Sequence, residues 1–222
     1  MVVIPCYNAA RTLPTLLERL SPMFSRDQIV CVDDGSTDDT QRVISEFGVC
    51  GVYHTVNQGK GQSLRDGYEF SLSRGASIAL TMDSDLQHSP DDIQKFLEAS
   101  RRADLLIGSR RQPNVFFNSR MPLARQVSNR LTSSMLSHLL RQPILDSQCG
   151  FRLVSRRCLE TVLPLCRERR YMFETEFLIH AAARGFAIDF VNIATIYNGE
   201  KSYINALPET LNFLKLVLRE IV

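Results

Sequence analysis

Through its first 110 residues the chain alternates short apolar runs with segments of helical period, and this alternation limits the fold more than any other feature. Apolar runs at 2–4, 29–32, 49–54, 77–82 and 105–110 read as strands. Between them, 9–20, 38–47, 62–74 and 90–101 read as helices; Pro14 falls near the start of the first, and Ser89 is a candidate N-cap for the last. Such a pattern predicts an α/β fold, a mostly parallel central sheet flanked by helices. In open sheets of this type ligands bind outside the carboxyl ends of the strands. The polar clusters at 5–8, 33–36, 57–61, 83–87 and 108–110 each follow a predicted strand, so five clusters should converge on one edge.

The second half is less regular. Helices are predicted over 120–141, 172–184 and 207–222, a strand over 186–196, and a loop at 146–152 entering a short strand. The 207–222 segment carries apolar residues at 207, 211, 214, 218 and 221. With 222 residues, no linker and no internal repeat, a single domain is the simplest account, 1–110 holding one ligand and 111–222 the other.

A formal net charge of +2 gives no field for nucleic acid. The six cysteines are scattered with no C-x-x-C pair, which predicts buried thiols in a reducing compartment rather than a zinc or redox site. No apolar run approaches the roughly 18–20 residues that span a bilayer, and no leader precedes the first predicted strand. The expected location is the cytoplasm, with peripheral contact at the inner face of the membrane open to the basic 120–141 and amphipathic 207–222 helices. The competing reading of these helices is packing against the domain.

The stretch "TMDSDLQHSP" at 81–90 carries the chemistry. If 83–85 stay extended, Asp83 and Asp85 project to one side and can share a hard divalent cation, with Gln87 adding a third oxygen. Mg²⁺ or Mn²⁺ fits such donors and would neutralise a diphosphate leaving group. Capping of the helix at 90 is the structural alternative. Asp33 and Asp34, after the second strand, suit ribose hydroxyls or a base N–H, or a capped turn with Gly35 and Ser36. Asn57, Lys60 and Gly61 suit a phosphate, or an ordinary turn. In Pro5-Cys6-Tyr7-Asn8 the ring of Tyr7 can stack on a base, and Arg110 can reach a diphosphate or sugar. His54, His88, His138 and His180 show no ligand spacing, and His88 alone lies close to the acidic stretch.

Taken in order, "VVIPCYNAARTLPTLL", "VCVDDGSTDDT", "NQGKGQSLRDGY", "MDSDLQHSPDDI", "IGSR" and "DSQCGFRLVSRR" resemble the inverting, nucleotide-sugar-dependent glycosyltransferases of family 2. The resemblance is strongest to the dolichyl-phosphate mannose synthase and polyprenyl-phosphate glycosyltransferase branch, and it spans roughly 2–205. It implies a glycosyltransferase A-type nucleotide-binding fold, a nucleotide-sugar donor and a polyprenyl phosphate or glycan acceptor. Pro5, Tyr7, Asn8, Asp33 and Asp34 would surround the nucleoside. Asp83, Ser84, Asp85 and Gln87 would meet the metal and diphosphate, with Arg110 at the diphosphate or sugar. Arg125, Ser128, Asn129 and Arg152 match the acceptor region, and 173–176 a helix lining it. Lys201 matches a basic segment that closes over the donor.

Two departures from that branch stand out: no arginine at 195–197, and no membrane-length helix. A lipid phosphate is already ionised and needs no base, whereas a hydroxyl acceptor does; Asp146 and Glu174 are the candidates. A nucleotidyltransferase would carry a Gly-rich, lysine-ended loop by its first strand, which Pro5-Cys6-Tyr7-Asn8 is not. A non-catalytic sugar-nucleotide binder would have no need of Asp-x-Asp.

Overall fold

The computed structural model describes residues 1–110, 123–194, 196 and 206–221; within these, the side chains of 123–126, 128, 206–210 and 221 are left undescribed. The first strand, β1 (Val2–Cys6), is buried at every position, as expected of a strand covered on both faces. Helix α1 (Leu13–Leu20) follows, burying Leu13, Leu16, Leu17 and Leu20 at helical spacing with Pro14 in its first turn. Then come β2 (Ile29–Asp33), α2 (Thr40–Phe47), β3 (Cys50–Tyr53), α3 (Lys60–Ser73), β4 (Ile78–Thr81), α4 (Ile93–Ala99) and β5 (Leu105–Ser109). The alternation predicted for the first half is the one observed, with α1, α2 and α4 shorter than the apolar period suggests and α3 beginning two residues earlier. Ser89 does cap the turn before α4, accepting from the Asp91 amide.

The second half contributes α5 (Leu123–Leu139), β6 (Arg152–Ser155), α6 (Arg156–Val162), α7 (Phe173–Ala183), β7 (Ile188–Asn192) and α8 (Ala206–Ile221). Helix α6 has no counterpart in the sequence reading: two turns capped by Ser155 are too short to leave a periodic signal. All six cysteines are unpaired, and five are buried.

One seven-stranded sheet, in the order β3-β2-β1-β4-β6-β5-β7, joins both halves. Every pairing is parallel except those of β6, which runs antiparallel between β4 and β5. Two consequences position the site. The chain leaves β1 toward β2 and β3, then returns to place β4 on β1's other side, so the crevice of the strand-order reversal opens between the ends of β1 and β4. Because β6 is reversed, its first residue, Arg152, is level with Thr81 and Ile107 near the carboxyl ends of β4 and β5. The loop that feeds β6 therefore reaches the same edge.

Helix α8 corrects the reading of its apolar stripe. It packs against α5 and α7 through Phe213, Leu216 and Val217, whereas Leu211, Leu214 and Leu218 of the predicted stripe are exposed. Among the described residues no helix is long and apolar enough to cross a membrane.

Candidate active site

Strand β4 ends at Thr81, and residues 84–85 form a turn rather than continuing extended. Leu86 adopts φ +61, a left-handed conformation rare for a side chain of its kind, and the Gln87 amide donates to Asp85 Oδ1 at 3.0 Å. The extended geometry that would set Asp83 and Asp85 on one side by strand alternation is thus replaced by a tight, strained turn. The Gln87 side-chain amide has no hydrogen-bond partner among the described residues.

Asp83 is paired from the opposite wall. Lys60, the first residue of α3, lies with Nζ 2.7 Å from Asp83 Oδ1 and 3.4 Å from Glu174 of α7. Burial alone would lower the Lys60 ammonium; the Asp83 and Glu174 charges outweigh it and hold its pKa above the ordinary value. Burial would likewise raise Asp83, and the ammonium beside it holds that carboxyl below the usual carboxylate range instead. The backbone of Gly150 closes over the pair: a Cβ there would stand 2.6 Å from Asp83 Oδ2 and 2.8 Å from Lys60 Nζ. Thr81 Oγ1 fixes that glycine by donating to its carbonyl at 2.8 Å.

Arg110, just past β5, forks onto Asp146 through Nε at 2.8 Å and Nη2 at 3.0 Å. Asp146 is fully buried and also accepts from Asn129 Nδ2 and the Gln148 amide. Burial opposes its ionisation, but Arg110 prevails and keeps its carboxyl low. This corrects the assignment of Asp146 as a base: its oxygens are filled and its proton affinity is reduced. Asn129, expected at the acceptor, is buried behind it. Arg152, also expected there, is 2 % exposed and spends its fork on the carbonyls of Cys149, Ser147 and Glu174. It therefore clasps the 147–150 loop to α7 rather than facing an acceptor.

On the other flank, Tyr7 is half exposed beyond β1, with Pro5 buried inside that strand. Asn8, at φ +51, accepts from the Thr37 amide at 2.8 Å and donates its own amide to Ser36. Asp33 accepts from the Ser36 amide and from Gln41 Nε2 at 2.8 Å. Asp34 is not turned outward: Oδ1 accepts from the Gln58 amide at 2.7 Å and from His54, and Oδ2 from the Gly59 amide at 2.8 Å. It therefore shapes the 57–61 loop from within, while Asn57 is exposed and Gly61 buried. Gly35, at φ +71, lets that loop approach, since a Cβ would meet the Val56 carbonyl carbon at 2.6 Å.

His88, read as structural, is buried against Phe151 with its Nδ1 unpartnered among the described residues, and burial lowers its pKa to about 4. Lys201 and the side chains of Arg125 and Ser128 lie outside the described residues.

A resident cation can be tested against this donor set. Four carboxylates, Asp83, Asp85, Asp146 and Glu174, surround three cations, Lys60, Arg110 and Arg152. Among the described residues this cluster holds more carboxylates than cations, and the side chains of Asp83, Asp85 and Gln87 offer oxygens, the donors a hard divalent ion prefers. The residues fit such an ion.

The seven-stranded, mostly parallel sheet flanked by helices is a fold of the glycosyltransferase A type. A family model described as "Glycosyl transferase family 2" matches residues 1–163, and the chain belongs to that family. It is a glycosyltransferase. A UDP-N-acetylglucosamine–dolichyl-phosphate N-acetylglucosaminyltransferase of Methanococcus voltae is 32 % identical over 217 residues, covering 88 % of this chain and 85 % of that one. A polyprenol monophosphomannose synthase of Mycolicibacterium smegmatis is 30 % identical, covering 85 % and 74 %. Among solved structures, glucosyl-3-phosphoglycerate synthase from Mycobacterium tuberculosis, in complex with Mn²⁺, UDP and phosphoglyceric acid, superposes with a TM-score of 0.74 at 20 % identity, over 99 % of this chain and 77 % of that one. The same enzyme is known with Mg²⁺ and UDP.

Proposed function

We propose that the protein transfers a glycosyl group, with inversion, from a nucleotide-sugar donor to a polyprenyl phosphate, using Mg²⁺ or Mn²⁺. The observation that supports the metal and donor reading is the set of side-chain oxygens of Asp83, Asp85 and Gln87 just past β4, in a cluster where, among the described residues, carboxylates outnumber cations. An anionic donor would be repelled by that excess, and a bound divalent ion reverses the sign. Support for the acceptor comes from relatives about 30 % identical, whose names specify dolichyl and polyprenol phosphates.

In this reading Asp83, Asp85 and Gln87 hold the ion, which when bound stabilises the departing diphosphate. Lys60 keeps Asp83 ionised and stands ready to meet phosphate charge as it develops. Arg110, oriented by Asp146, supplies a second fixed cation at the same edge. Tyr7, with Pro5 and Asn8 behind it, offers a face for the base, and Asp33 a carboxylate near the ribose. Residues 1–110 form the donor side; the family resemblance assigns Arg125 and Ser128 to the acceptor and Lys201 to the donor. A lipid phosphate attacks as an anion, so positioning suffices and no base is needed. The exposed Leu211, Leu214 and Leu218 of α8 suit peripheral contact with the inner face of the membrane that carries such a lipid.

One feature favours a second acceptor class. Glu174 lies beside Lys60, and in this second reading it takes the proton from a hydroxyl acceptor. Incubation with labelled nucleotide sugars, Mn²⁺ and either undecaprenyl phosphate or a glycan decides between them. Label passing to the lipid, lost on adding EDTA, is the expected result; transfer to the glycan alone overturns the lipid assignment.

A further inference from the structure

Both ring nitrogens of His54 face carboxylates. Nδ1 lies 2.7 Å from Asp34 Oδ1, and Nε2 lies 2.7 Å from Asp66 Oδ2. The ring is buried, so water cannot mediate either contact. A carboxylate only accepts, and a neutral imidazole has one N–H and one lone pair. Two short contacts to ionised carboxylates therefore require protons on both nitrogens. We propose that His54 is held as an imidazolium whose double donation, through Asp34 and Asp66, positions the 57–60 loop and with it Lys60 for glycosyl transfer.

The connection runs through direct contacts. Asp34 accepts the Gln58 and Gly59 amides, and Gly59 directly precedes Lys60. Gly59 holds φ +104 and packs with no room for a Cβ against the Arg169 carbonyl, so the loop has little freedom to choose another path. Asp66 belongs to α3, the helix that Lys60 begins, and its Oδ1 accepts from Gln62 Nε2 at 2.9 Å. His54 thus ties the end of β2 to the first turns of α3. Asp34, just past β2, and Asp66 of α3 are the charges that face it; neighbouring Asp33 is turned to Ser36 and Gln41, and Lys60 to Asp83 and Glu174. Burial works against the charged ring, yet the two carboxylates win and raise its pKa above the ordinary histidine value. The clamp is complete below about pH 6.5, the unfolded value, and opens as pH rises through the raised folded value.

The proposal rests on the donor reading only where affinity is measured. Nitrogen-15 spectra of histidine-labelled protein report the ring's protons, and protection of the Gln58 and Gly59 amides reports the loop, both without nucleotide. Expected are a doubly protonated His54 at pH 6.5 and amide protection that falls as the ring titrates. In Asp66→Asn the new amide can donate to a neutral Nε2 while Nδ1–H goes to Asp34. The pH step in protection should then vanish while cooperative melting is retained. UDP or GDP affinity with Mn²⁺ should weaken on the order of tenfold across the wild-type step, the effect of one charge-assisted hydrogen bond. A neutral His54 at pH 6.5, an unchanged pH step in Asp66→Asn, or affinity that ignores the loss of protection overturns the proposal. Failure of both nucleotides to bind at any pH, with the clamp behaving as described, overturns the donor site instead.

Discussion

Lys60 Nζ and Asp83 Oδ1 stand 2.7 Å apart, joined across the crevice from the start of α3 and the end of β4. Residues 23 positions apart in the chain are brought together because β4 crosses to β1's far side while α3 covers β1 and β2. The pair sets both protonation states in the pocket, and it makes Lys60 a charge that competes with a metal ion for Asp83. Lys60→Met should therefore bind Mn²⁺ at least as tightly as wild type, by calorimetry without nucleotide. Turnover should fall by about a hundredfold, the typical effect of removing one fixed donor from developing charge. Loss of both metal binding and turnover would mean that Lys60 builds the metal site rather than serving the phosphate.

Asp85 is half-buried at a turn, and its Oδ1 accepts the Gln87 amide. An asparagine can still accept that hydrogen bond but cannot supply a negative oxygen to a cation. Asp85→Asn should thus keep its melting temperature within a few degrees of wild type, lose Mn²⁺ affinity and lose nearly all turnover. Retained turnover would remove Asp85 from the metal site.

Gly150 is a steric prediction. A methyl group there would lie 2.6 to 2.8 Å from the Asp83 oxygens and Lys60 Nζ, closer than unbonded atoms approach. The side chains, not the anchored backbone, must then move, because Thr81 holds the Gly150 carbonyl. Gly150→Ala should displace the ion pair and cost far more activity than stability, with calorimetry showing weakened Mn²⁺ binding. A crystal structure with the Lys60–Asp83 distance unchanged would rule this account out.

Sheet strands and their order of polar ends were legible because buried parallel strands are continuous apolar runs, as in 2–4 and 105–107. What could not be read was direction and partnership. Nothing in the residues 152–155 says that β6 is antiparallel, yet that reversal is what carries Asp146 and Gly150 to the pocket. Residue type does not say when a charged group serves the fold: Asp34, open to either a ribose or a turn, Asp146, a candidate base, and Arg152, a candidate acceptor contact, are all occupied by the chain's own donors and carbonyls. The α8 stripe failed similarly, since period alone does not say which of two apolar faces meets the core. His54 carried no spacing signal because its partners, at 34 and 66, belong to separate elements.

The Arg110–Asp146 fork makes a prediction about acid. Asp146 is fully buried, and its carboxyl is held below the ordinary value despite burial because Arg110 lies against it. A group with a depressed folded pKa contributes stability above its unfolded value, about 3.9, and loses it as pH falls through the folded value. Urea unfolding followed from pH 7 to pH 3 should show wild-type stability declining below about pH 4, with Asp146 among its sources. Asp146→Asn leaves the Arg110 charge without its partner, and breaking a buried pair this way typically costs about 3–5 kcal/mol. The variant should start lower by that order at pH 7 and decline less steeply below pH 4, so that the two curves converge in acid. Parallel curves would show that Asp146 does not change its protonation on unfolding, and would remove it from the sources of the acid-induced loss.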